Sequence, residues 1–135
     1  MAKRSATGDS PIETVTHNLP DLARMGLGKK PAWSRQSEDL SINLISCTAG
    51  QGVGSHMNSE VDVLLVGIEG EGSVEIDGHW HGIQPGLLLI IPKGTQRATR
   101  CDGNDFAYLT CHRRRAGLWP TDHRDGNAIP QGGQS

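Results

Sequence analysis

Glycine and proline break this chain at intervals too short for long helices over most of its length. Asp77-Gly78, Pro85-Gly86 and Pro92-Lys93-Gly94 all fall within residues 77–94, and each is turn chemistry. With 18 Gly and 7 Pro in 135 residues, the composition excludes a helical bundle and predicts short strands joined by tight turns. From Leu40 the segment LSINLIS alternates apolar and polar residues, the period of a half-buried strand. HMNSEVDVLLVGIEG follows as one or two strands, GSVEIDG as another, and HWHGI as its hairpin partner. The run LLLII is wholly apolar and too short for a helix, which predicts a buried strand. TQRATR and DFAYLTCHRR give two more strands, separated by a predicted turn at Cys101–Asn104. Seven or so strands at this spacing mean an all-β antiparallel sandwich or barrel. Periodicity alone does not choose between immunoglobulin-like, lipocalin-like and double-Greek-key forms.

The length fits one domain. Residues 1–35 read as an irregular N-terminal arm with one helical turn at Leu22–Met25, before Gly26, Gly28 and Pro31 break it. Residues 36–119 read as the β-barrel and 120–135 as a flexible C-terminal tail. Thirteen Lys+Arg against fifteen Asp+Glu argue against a protein built to hold nucleic acid, and Arg113-Arg114-Arg115 is too short a run to reverse that. No apolar run approaches the length of a membrane span. The start MAKRSATGDS has no apolar stretch of a secretory signal. Cys47, Cys101 and Cys111 lack paired spacing, so the expectation is a cytoplasmic protein with free thiols. Cys47 and Cys111 fall in apolar alternation and read as buried and inert. Cys101, in its predicted turn after Arg100, reads as the most reactive of the three. His112 beside Arg113 reads as a surface histidine. His79-Trp80-His81 reads as a solvated strand edge rather than a metal clasp.

Charge is unevenly placed. Residues 36–92 hold eight acids and no Lys or Arg, whereas 93–115 hold six bases and two acids. Two readings stay open: opposite charges paired across neighbouring strands, or a cationic patch that meets an anionic ligand.

One spacing is more specific. Gly86, Pro92 and Gly94 follow the pattern Gly, five residues, Pro-x-Gly, and EGEGSVEIDG precedes it as a linking hairpin. Upstream, a glycine-rich TAGQGVGS leads to His56, with Asn58 two residues on, Asp62 after three more, and Gly70 later. This arrangement resembles the two motifs of the cupin superfamily. The resemblance implies a single-domain double-stranded β-helix, or jelly-roll barrel, and a homodimer. It also implies a metal site of three His and one Glu projecting into the barrel, of which only His56 is retained. Asn58 occupies the second histidine slot, Asp62 stands for the glutamate, Arg97 fills the last histidine slot and Cys101 the asparagine slot.

His56, Asn58, Glu60 and Asp62 recur every second residue and would share one face of an unbroken strand. A turn at 59–61 would instead leave His56, Asn58 and Asp62 facing in. His56 and Asp62 are the candidate ligands for Fe, Zn, Mn or Ni. A guanidinium about 4 Å from such an ion would repel it by roughly 8 kcal/mol at an effective dielectric of 20, so no tightly held cofactor is expected. A buried Arg97 needs a partner. It either pairs with Asp62 or Glu60, or reads a carboxylate or phosphate on a small molecule with His56 in reach as acid or base. Asn58, Glu60, Asp62, Arg97 and Tyr108 are then the candidate ligand-binding residues, and His56 and Arg97 the candidate catalytic pair. Three functions follow. The first is a barrel pocket that binds or converts a small anionic organic molecule without a tightly held metal. The second is a metal-dependent dioxygenase, isomerase or cyclase. The third is a non-catalytic sensor or interaction module.

Overall fold

The computed structural model describes residues 14–114. Its elements are α1 (Leu19–Met25), β1 (Trp33–Gln36), β2 (Leu40–Thr48), β3 (Gly52–Met57), β4 (Val63–Ile76), β5 (His79–Ile83), β6 (Leu88–Ile91) and β7 (Gln96–Arg113). Two strands are long, β4 with 14 residues and β7 with 18. They pair with each other along most of their length. The first part of β4 pairs with β6 and its second part with β5. The first part of β7 pairs with β3 and its second part with β2, which in turn pairs with β1. All pairs are antiparallel. The result is two sheets, β1-β2-β7-β4-β6 and β3-β7-β4-β5, that share two bent strands and enclose a barrel-like interior.

The bend is written in glycine. Register between β4 and β7 slips twice, between Gly67 and Glu69 and between Gly70 and Gly72. Gly70 has φ +70°, which a side chain resists, and a Cβ at Gly72 would run into the Phe106 ring. Inside the bend Val63, Leu65, Val74, Phe106 and Tyr108 form the core. Each such side chain removed from water contributes about 1.5–3 kcal/mol before entropy is counted. A second cluster lies outside the first sheet. There Ala23 of α1 packs on Leu44 and Ala107, with Leu22, Trp33 and Leu109 around them. Asn18 caps α1 by accepting from the Asp21 N–H at 3.0 Å, and Arg24 ties the helix to β4 through Glu69 at 2.9 Å. No helix among the described residues is long and apolar enough to cross a membrane.

Several expectations change. The helix begins at Leu19 rather than Leu22, and β1 runs across the expected start of the barrel at residue 36. β7 is continuous through Cys101–Asn104 where a turn was predicted, because it crosses from one sheet to the other there. Cys101 is consequently buried at 4 % exposure, not presented on a turn. His112 is also buried, with Nδ1 2.8 Å from the Arg113 carbonyl. The run before Pro92 is not a buried strand. β6 is the last strand of its sheet, so Leu88 and Ile90 point outward while Ile91 packs inside. Trp119, Arg115 and the tail at 120–135 lie outside the described residues.

Candidate functional site

The corner between β3 and β4 carries most of the residues singled out by spacing. Asn58 sits at its hinge. Its Oδ1 accepts from the backbone N–H of Glu60 and Val61, and its Nδ2 donates to the Val61 carbonyl at 3.0 Å. This is an Asx turn, and Asn is the residue type that makes it cheaply. The turn resets the alternation. Val61, Val63 and Leu65 face the core, so Asp62 falls on the outer side and is exposed. Its Oδ1 accepts from the Lys93 N–H at 2.9 Å, clamping the turn after β6. Glu60 is exposed on the loop. The expected polar column is therefore not assembled.

His56 and Arg97 do meet. They are register partners on β3 and β7. Arg97 is 4 % exposed, and its Nε donates to His56 Nε2 at 3.2 Å. A guanidinium has no lone pair to offer, so Nε2 must be the accepting nitrogen. His56 Nδ1 is then the N–H, and it donates to the Gly54 carbonyl at 3.0 Å. The imidazole is thus a neutral ring with both nitrogens engaged. It offers no lone pair to a metal without losing Arg97. The donor set the motif implies does not fit a mononuclear metal centre: His56 is occupied, Asp62 is outside, Asn58 is spent on the turn. Among the described residues no three His, Cys, Asp or Glu side chains come together.

Beside this corner the interior opens into a cavity of about 490 Å³, within the usual range for small-molecule sites. His56 and Tyr108 lie on its wall, as does Lys30 just ahead of β1. The apolar part comes from Pro31, Ile45 and Val53. Asn43 and Thr99 supply polar positions, and Cys47 lies deep on the β2 side. No Asp or Glu lines it among the described residues, and Lys30 is its one charged side chain. Lys30 makes no ion pair and no side-chain hydrogen bond with another described residue. Arg97 does not itself line the cavity; it contacts His56, which does.

Tyr108 is buried, and its hydroxyl is 3.2 Å from Thr99 Oγ1, which also accepts the Val53 N–H at 3.2 Å. Burial raises the phenol's pKa, and the Thr99 bond works against that rise. Burial likewise pushes the Cys47 thiol up to about 11; the neighbouring Cys101 thiol adds to the rise and the charge of Lys30 opposes it. Cys101 is raised by burial as well. Across the sheet from Asn43 lies Thr110, 2 % exposed, whose hydroxyl has no hydrogen-bond partner among the described residues.

Of the residues expected at the site, the structure puts His56 and Tyr108 on the cavity wall and Arg97 in contact with His56, and leaves Asn58, Glu60, Asp62 and Arg97 itself off that wall. Lys30, Asn43, Cys47 and Thr99 were missed as site residues. Asn43 carried a signal, a polar residue on the same side of β2 as Ile45 and Cys47. Lys30 carried none, lying in a stretch without period. His79 and His81 are exposed on β5 as expected. Trp80 beside them holds the Arg100 guanidinium 4.1 Å from its ring centre. Hydrogen bonds from Ser73 and Arg100 hold Asp102 below the ordinary carboxylate range, on the outside of the barrel.

No protein-family model matches the chain, and no curated protein does. Solved structures do. A protein of Bacillus halodurans is 19% identical with a TM-score of 0.65, covering 80% of this chain and 86% of that one. A cupin-2 domain-containing protein from Shewanella frigidimarina is 17% identical with a TM-score of 0.58, covering 73% and 94%. An RmlC-like cupin family protein with a double-stranded β-helix fold, from Methanocaldococcus jannaschii, is 18% identical with a TM-score of 0.54, covering 60% and 75%. Likeness at this level of identity establishes the fold. The chain has the double-stranded β-helix of the cupin proteins, the fold that the resemblance in its glycine and proline motifs implied.

Proposed function

We propose that this protein binds a small organic anion in its barrel cavity and does so without a tightly held metal. One observation carries the proposal: the cavity has a cation on its wall, Lys30, and no carboxylate among the described residues. Lining without acidic groups gives a positive local potential that favours an anion and disfavours a cation. The polar positions Lys30 and Asn43, among apolar walls, suit a molecule with a polar end and an apolar body. Binding is favoured over conversion because both ring nitrogens of His56 are engaged, so acid–base work would first require Arg97 to let go. The metal-dependent enzyme has no comparable support, since the donors it needs are spent elsewhere.

Thermal denaturation with a panel of aliphatic and aromatic carboxylates, each matched by its amide, tests this. A ligand at a hundred times its dissociation constant adds about 2.7 kcal/mol, which raises the midpoint by several degrees in a domain this size. The carboxylates are expected to raise it and the amides not. Stabilisation by primary amines or by Zn(II), Mn(II), Ni(II) or Fe(II), with none from the carboxylates, would overturn the proposal.

A further inference from the structure

We propose that Lys30, and not Arg97, reads the anionic group, and that the ligand is an amphiphile with one negative charge on an apolar body. This rests on the cavity being the anion site and adds which residue confers charge selectivity and how many charges it accepts.

Two cations lie near the cavity, and their surroundings differ. Arg97 is buried, its Nε is committed to His56, and it does not line the cavity, whereas His56 does. That contact takes one edge of the guanidinium, and the side chain is not on the cavity wall, so the cation that a ligand in the cavity meets is Lys30. Lys30 faces the cavity, with no ion pair or side-chain hydrogen bond to another described residue. Its field extends to the deep side of the cavity, where it favours the Cys47 thiolate. An ammonium on a flexible stem is suited to a single point of negative charge.

The number of charges follows from what else lines the wall. Beyond Lys30 the positions are neutral: Pro31, Ile45 and Val53 offer no donor in their side chains, Asn43 offers an uncharged one, and the Thr99 hydroxyl is engaged with Tyr108 and the Val53 N–H. A second carboxylate on the ligand would lose water without meeting a cation, which costs binding rather than adding to it. Asn43, opposite a Thr110 hydroxyl that has no hydrogen-bond partner among the described residues, is placed for a neutral polar group.

The test uses three eight-carbon probes of matched length: octanoate, octan-1-ol and octanedioate. Dissociation constants are read from methyl cross-peaks of Ile45 and Val53, which line the cavity, while Leu88 and Ile90 report any binding to the outer face. Lys30→Met is expected to weaken octanoate roughly fivefold, the upper end for a partly exposed ion pair, and to leave octan-1-ol within about twofold. Lys30→Arg is expected to keep most of the octanoate affinity. Wild-type protein is expected to bind octanedioate more weakly than octanoate. Unchanged octanoate affinity in Lys30→Met, or equal loss of octanoate and octan-1-ol, would overturn the role of Lys30 and leave the cavity as a binding site. Tighter binding of octanedioate than octanoate would overturn the single-charge inference. Wild-type protein whose Ile45 and Val53 peaks respond to none of the three would overturn the cavity proposal and this one with it.

Discussion

The corner between β3 and β4 and the open wall formed by Lys30 and Asn43 treat polar side chains in opposite ways. At the corner Asn58, Asp62 and His56 are used to build. Asn58 closes the turn, Asp62 clamps the Lys93 backbone, Gly54 and Arg97 take both nitrogens of His56. On the wall, Lys30 has no ion pair or hydrogen bond through its side chain to a described residue, and it borders a cavity of about 490 Å³. Polar groups that hold the fold are not available to a ligand; those left without protein partners are. The motif that resembles a metal site marks the first region, and the chemistry proposed here belongs to the second.

That contrast can be broken by mutation, and the corner should respond most. Arg97→Met removes a charge-assisted bond to His56 from a buried place and is expected to cost about 2–3 kcal/mol, read from urea unfolding. A loss under about 0.5 kcal/mol would mean that Arg97 is not a building element. The wall has a pH-dependent counterpart. Cys47 holds its proton to about 11 in the folded state against 9.0 for an ordinary thiol, so folded protein binds more protons than unfolded protein between those values. Its contribution is complete below pH 9 and is lost as pH rises through 11. Burial moves Cys101, Cys111 and Tyr108 the same way. Stability should therefore fall over this range by roughly 2 kcal/mol from Cys47, and Cys47→Ala should flatten that part of the profile. An unchanged slope in Cys47→Ala would place its thiol in a wetter setting.

Smaller effects sharpen the same contrast. Asn58→Ala removes three hydrogen bonds of the turn and should cost about 1–2 kcal/mol. Lys30→Met, on the wall, should move stability by less than about 0.5 kcal/mol. If Lys30 destabilised as much as Asn58, the division between building and binding groups would not hold.

The sequence carried much of this architecture and less of its site. Turns at Asp77-Gly78, Pro85-Gly86 and Pro92–Gly94 placed the strands because few other conformations suit those residues. The inward set Phe106 and Tyr108 and the outward set Ala107 and Leu109 were legible from period two. The direction of β2 was not, since both of its faces are covered: Leu44 is fully buried against α1 and Trp33 on the outside, while Asn43 and Ile45 look inward. Asp62 was misplaced because a side-chain turn at Asn58 shifts the alternation by one, and a one-residue slip exchanges the faces. Leu88 and Ile90 read as core because an apolar run does not say that its strand ends a sheet. Lys30 came to the cavity through the pairing of β1 with β2, a contact between distant segments that no local pattern announces.

The ring of His56 offers the most direct test of whether the corner builds or binds. A nitrogen-15 histidine spectrum recorded while Zn(II) is added to the folded protein reports which ring nitrogen carries the proton and whether the other is ligated. His56 is expected to remain the Nδ1–H form, with Nε2 unmoved by stoichiometric zinc. Displacement of the Nε2 signal by one equivalent of zinc, with release of Arg97, would contradict the assignment of this corner to the fold.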